Sequence, residues 1–134
     1  MEPVRVVVHL KDGRIGKGYA NDFNPTRISF HFYEETGGAQ KQSVLLEMKD
    51  LKALFFVKTF EGNRNYRERK NFAKDDLVQG RRVEVTFSDG EVIQGSTVGY
   101  DPQRLGFFLI PIDSNSNNIR IFVVSSAVKK FRFL

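Results

Sequence analysis

Apolar residues recur at every second position in two stretches of this 134-residue chain. Val4, Val6, Val8 and Leu10 share one face of the first, and Val83, Val85 and Phe87 share one face of the second. A period of two puts successive side chains on opposite sides of a strand, one side for a core and one for water. Asp12-Gly13 and Asp89-Gly90 follow directly, and Asp-Gly supplies the positive φ of a tight hairpin turn. Second strands are then expected over about residues 14–22 and 91–99, ended by Asn-Pro and Asp-Pro turns in which proline presets φ. Ile28, Phe30 and Phe32 mark a third strand, as do Leu105, Phe107 and Leu109. Polar loops, a fourth strand, a short break (MKD or SSA) and a fifth strand complete each stretch. No long helical periodicity interrupts either one.

These parallels keep a constant offset of 77 residues without a gap. Arg5/Arg82, Val6/Val83, Asp12/Asp89, Gly18/Gly95, Pro25/Pro102, Arg27/Arg104 and Phe30/Phe107 are identical pairs, and Phe23/Tyr100 is a conservative one. The pattern predicts a duplicated unit of about 54 residues. Five short antiparallel strands with one apolar face predict a small closed barrel in each copy. The expected organisation is an all-β chain: a first barrel at 1–57, a basic linker at 58–80 and a second barrel at 81–134, the barrels packed on each other. Within the linker the first part reads as a loop, and YRERKNFAKDDLV is compatible with a short helix with Tyr66, Phe72 and Leu77 or Val78 packing down.

VRVVVHLKDGRIGKGYANDF and RRVEVTFSDGEVIQGSTVGYD resemble the first motif of Sm and Sm-like proteins. The likeness consists of alternating apolar residues, a Gly-centred turn, a second Gly, and an aromatic followed by an acidic or amide position. It covers the first three strands of both copies and is similar to what tandem small-barrel proteins of bacteria carry. The resemblance implies the barrel fold. In Sm proteins an Asn after the acidic position and an Arg-Gly pair between strands four and five bind uridine-rich RNA. Here Arg27 and Arg104, or a neighbour, hold the first place, and Glu47-Met48 and Val124-Ser125 fall near the second. The RNA site therefore does not carry over.

Composition narrows the chemistry. Without cysteine, disulfides, thiolate metal sites and cysteine nucleophiles are excluded, which fits a reducing compartment. The first residues show no basic leader with an apolar run, and no stretch nears the roughly 18 apolar residues that span a bilayer; a cytoplasmic location is expected. The net charge of +5 divides as +1, +2 and +2 over the three segments. So thin a spread weakens a nucleic-acid reading based on charge alone.

Candidate residues fall in three groups. Arg27 and Arg104, after the proline turns, are suited to receive phosphates or carboxylates, or to brace the turn against Asp12, Asp89 or loop carbonyls. In NRNYRERKNF, Arg64, Arg67, Arg69 and Lys70 alternate with Tyr66 and Phe72, a pattern that suits phosphate binding with base stacking or simply a solvated face. The stretch is also similar to PilZ domains, which bind cyclic di-GMP through Arg-x3-Arg and a later Asp/Asn-x-Ser-x-x-Gly. The arginines here miss the four-residue step, and DSNSNN lacks the spacing and the Gly. Third, Phe55, Phe108 and Ile110 stand where the other copy is polar or differs. They serve either to pack the barrels together or as a surface for a protein partner or a second copy.

His9 and His31 fall opposite the apolar faces with no acid and nucleophile at telling spacing, and a phosphate-binding Gly-Lys-Ser/Thr loop is absent. No enzyme activity, cofactor or metal is expected. The reading is a small adaptor or regulatory module acting through protein contacts; the alternative is a nucleic-acid or cyclic di-GMP binder.

Overall fold

The computed structural model describes residues 3–35, 42–62, 67–72, 78–113 and 115–134. Ten strands form: β1 (Val4–Leu10), β2 (Ile15–Ala20), β3 (Ser29–Glu34), β4 (Ser43–Glu47), β5 (Leu51–Val57), β6 (Arg81–Phe87), β7 (Val92–Thr97), β8 (Gly106–Pro111), β9 (Asn118–Val124) and β10 (Val128–Phe133). Single 3-10 turns at Met48–Asp50 and Ser125–Ala127 separate the fourth from the fifth strand of each half. The Asp-Gly hairpins form as their chemistry dictates. Gly13 and Gly90 sit at φ 96° and 95°, where a side chain would be strained. The carboxylates of Asp12 and Asp89 each accept the N–H two residues on at 3.0 Å. Gly18 has a different reason: a Cβ there would collide with the Tyr33 carbonyl and the Phe32 ring.

All ten strands join one antiparallel sheet in the order β10-β6-β7-β8-β9-β5-β1-β2-β3-β4. Two closed Sm-like barrels are not what these residues build. To close the first barrel, β5 would have to meet β4; it pairs instead with β1 and with β9. Among the described residues β4 pairs with β3 alone and β10 with β6 alone, which makes them the two edges of the sheet. The expected tandem duplication and the Sm likeness fall with the barrels, because the sheet is continuous. The physical reason lies in LKALFFV. Five of its seven residues are buried, on both faces, and a strand apolar on both faces is stable with neighbours on each side and cover above and below. One-sided alternation, the premise of the barrel, does not hold there.

The seam is registered as Ala53↔Val123, Leu54↔Phe122, Phe55↔Ile121 and Phe56↔Arg120. Successive residues of β5 and β9 point to opposite faces, and a separate core lies on each. On one face Leu54, Phe56, Phe122 and Val124 pack with Val6, Val8, Phe30 and Met48. On the other Ala53, Ile121 and Val123 pack with Val83, Val85, Phe87 and Leu109. Full burial of a side chain such as Phe122 contributes about 1.5–3 kcal/mol. Phe55, Phe108 and Ile110 do not share a packing surface. Phe108 lies opposite Phe122 and against the first core. Phe55 lies opposite Ile121 and against the second, and Ile110 pairs with Ser96.

The short helix over the connecting segment is not formed at 67–72, which run without regular structure. Tyr66 and the stretch 73–77, with Leu77, lie outside the described residues, as does Arg64. Among the described residues there is no helix beyond the two 3-10 turns, and none long and apolar enough to cross a membrane.

Candidate binding site

An edge strand presents unpaired N–H and C=O groups along one side, a template for another strand unless something blunts it. The two edges here differ. β10 carries Lys129, Lys130 and Arg132, all exposed. Arg132 is tied to Glu84 at 2.8 Å, and the guanidinium of Arg81 covers the ring of Phe133 at 3.8 Å. β4 reads Ser43-Val44-Leu45-Leu46-Glu47, with no charge before its last residue. Val44 and Leu45 are 54% and 55% exposed. Beside them on β3, His31 lies opposite Leu45 and Phe32 opposite Val44. Asp22 fixes His31 by accepting its backbone N–H at 2.9 Å and meeting Nδ1 at 2.6 Å. Burial would raise the Asp22 carboxyl, but these hydrogen bonds outweigh it and hold it below its ordinary range.

β4 runs into a cleft of about 580 Å³. One wall is Ile28 and the Glu47–Lys49 segment; the other is Pro102, Arg104 and Leu105 with Val124, Ser125 and Ser126. Ser125 Oγ is buried and has no hydrogen-bond partner among the described residues.

The arginines singled out from the sequence separate. Arg27 and Arg104 are exposed on equivalent turns, their N–H groups donating to the Asn24 and Asp101 carbonyls. Arg104 Nε also stands 3.7 Å from the Asp101 carboxylate. Neither reaches Asp12 or Asp89, whose charge partners are Arg14 and Lys52. Arg67, Arg69 and Lys70 are exposed on the connecting segment. The backbone N–H of Arg69 donates to Asp113 at 3.2 Å, and Arg69 and Lys70 border a cavity of about 210 Å³ beside Phe55, shared with Glu68 and Glu91. Phe72 has the Arg82 guanidinium over its ring at 4.8 Å, so that face is taken. The segment around DSNSNN makes turn contacts. Buried Asp113 also accepts the Asn115 N–H at 3.0 Å, and Ser116 Oγ accepts that of Asn118 at 3.0 Å.

Sequence reasoning passed over Lys52. Its side chain is 11% exposed and reaches from β5 to Asp89 at 2.6 Å and Glu91 at 2.5 Å, next to the ring of Phe87. Burial lowers its pKa, but both carboxylates outweigh that and raise it. Asp89 is in turn held below its ordinary range, chiefly by this hydrogen bond. Lys11 makes a second link between the halves, donating to Ser126 Oγ at 2.8 Å. The available signal was a lone lysine inside an otherwise apolar strand, the kind of position that calls for partners. The described residues hold no group of three His, Cys, Asp or Glu placed to bind a metal.

The profile of a family described as a family of unknown function (DUF6982) matches residues 2–134. No curated protein and no solved structure matches the chain.

Proposed function

We propose that this protein, which belongs to the DUF6982 family, is a non-enzymatic binding module that accepts an extended segment of a partner protein along β4. One observation carries the reading: β4 is an apolar edge without charges over Ser43–Leu46, whereas β10 is fenced with cations. Strand addition draws affinity from main-chain hydrogen bonds and selectivity from alternate side chains. Val44 and Leu45 offer those contacts on the two faces of the edge. Lys52, paired with Asp89 and Glu91, is committed to holding the two halves of the sheet together. The cysteine-free composition suits the reducing cytoplasm as the working place.

The test is selection of random peptides on the purified protein. Binders should alternate apolar and polar residues, and should lose affinity about tenfold or more when alternate backbone amides are N-methylated or when Leu45 is changed to Lys. Binders indifferent to both changes would overturn the proposal. So would salt-sensitive binding of single-stranded nucleic acid or cyclic di-GMP that disappears in an Arg67→Gln/Arg69→Gln variant.

A further inference from the structure

We infer that the cleft between the β3–β4 end of the first half and the β7–β8 turn of the second is a binding site for a small molecule with an apolar body and one carboxylate. Its volume, about 580 Å³, falls in the range of roughly 300–1,000 Å³ that small-molecule sites occupy. Its apolar surface comes from both halves: Met48, 2% exposed, and Ile28 on one wall, Leu105 and Val124 on the other. Such a surface takes hydrocarbon, and two features specify what the hydrocarbon should carry.

The first is charge. Arg104 lines the cleft, and its one charge partner among the described residues is Asp101, 3.7 Å from Nε. That distance is too long for a hydrogen bond, so the terminal fork keeps its donors for a bidentate acceptor such as a carboxylate. The other charges in the lining, Glu47 and Lys49, offset each other at 3.3 Å. With Asp101 beside Arg104 the charges around the cleft balance, so the preference for an acid rests on the unspent donors of the Arg104 fork.

The second is Ser125. Its backbone N–H is committed to the Leu105 carbonyl at 2.9 Å, while its hydroxyl is buried with no partner among the described residues. A buried hydroxyl left without a partner is destabilising, so a ligand that supplies one gains by it. The residue itself borders the cleft, so rotation of χ1 to another staggered position turns the hydroxyl toward a ligand and supplies the missing hydrogen bond. Apolar walls, an arginine fork and an unspent hydroxyl together fit an aryl- or alkyl-carboxylate. The site is separate from the strand-accepting edge and does not depend on it.

The probe is 4-phenylbutyrate, compared with its neutral amide, followed by amide NMR shifts of the whole chain. The acid is expected to saturate, moving Ile28, Met48, Leu105 and Ser125, and to bind about tenfold more tightly than the amide. Arg104→Gln should bring the acid down to the level of the amide, and Ser125→Ala should weaken the acid while leaving the chain folded. Leu45→Lys should leave binding of the acid unchanged, which separates this site from the edge. Equal binding of acid and amide, shifts centred elsewhere, or no saturable shift would each overturn the inference.

Discussion

Phe23 and Tyr100 stand before matching proline turns, one in each half of the sheet, and they pack differently. Phe23 reaches across the seam. Its ring contacts Phe30 and Phe56 of its own half at 5.4 and 5.6 Å, and Phe108 and Phe122 of the other half at 6.4 and 5.1 Å. Tyr100 stays at home, stacked on Phe131 at 3.6 Å and edge-on to Phe107 at 5.0 Å. The first core thus contains large residues of the second half, Phe122 and Val124 with Phe108 beside them, and Arg120 covers the rings of Phe56 and Phe108 at 4.5 and 4.3 Å. Among the described residues the second core takes from the first half Ala53 alone, with Phe55 at its margin. The first half therefore depends on the seam for its core far more than the second does.

Truncation is the strongest way to break that comparison. Phe122 is fully buried at the centre of the shared core, so Phe122→Ala should cost about 3–5 kcal/mol. Tyr100 is half-buried within one half, and Tyr100→Ala should cost about 1–2 kcal/mol. Urea unfolding of both variants measures the difference, and amide hydrogen exchange locates it. Phe122→Ala should speed exchange in β1–β3 more than in β6–β7, and equal loss of protection in both would refute the asymmetry.

The two Asp-Gly hairpins offer a smaller contrast of the same kind. Asp12 pairs with Arg14 inside its own turn, whereas Asp89 holds Lys52 across the seam. Both carboxyls titrate below their ordinary 3.8, Asp12 chiefly through the Arg14 backbone N–H and Asp89 chiefly through Lys52. A carboxyl lowered by folding stabilises the fold above its ordinary value, and that contribution is lost as pH falls from about 4 through the folded value. Lys52→Met should cost about 1–2 kcal/mol at neutral pH. It should also flatten the acid arm of stability, though less than Asp89→Asn because the Glu91 backbone N–H still lowers Asp89, while Asp12→Asn leaves the Lys52 contribution intact. Wild-type stability should fall on the alkaline side too, above pH 10.5, as the raised Lys52 is deprotonated.

His9 reports on the same cluster. Burial, followed by the charge of Lys52, lowers its pKa below 6.5, against a smaller opposing pull from Glu91 and Asp89. A base lowered by folding stabilises the fold fully above its ordinary value, and that contribution is lost as pH falls below 6.5. NMR titration should show the His9 pKa rise in Lys52→Met, since the two carboxylates then act unopposed. A fall would remove Lys52 from the account.

What could be read from the residues was local. Alternation at Val4–Leu10 and Arg81–Phe87, the Asp-Gly hairpins and the proline turns all form where the spacing puts them. Each is governed by neighbours in sequence. The seam was hidden because strand pairing between residues about 65 apart, Phe55 and Ile121 for example, leaves no periodic trace. Its one mark, apolar residues on both faces of LKALFFV, was absorbed into a barrel strand. Arg27 and Arg104 were visible as a matched pair. The cleft beside Arg104 was not, since its walls come from Glu47–Lys49, Pro102–Leu105 and Val124–Ser126.

The smallest stability effect belongs to the two edges, where comparison says most about binding. Leu45 on β4 and Lys130 on β10 both project from outer strands with little packing to lose, so Leu45→Lys and Lys130→Ala should each change unfolding free energy by about 0.5 kcal/mol or less. Their effects on association should point in opposite directions. Leu45→Lys puts a charge where an incoming strand would lie and should remove β4-directed peptide binding. Lys130→Ala thins the fence on β10 and should promote self-association, read by light scattering across a concentration series. If Leu45→Lys left peptide binding intact while Lys130→Ala abolished it, the receptive edge would be β10. The contrast in charge between the two strands would then mark the partner's acidity rather than the place where a strand is kept out.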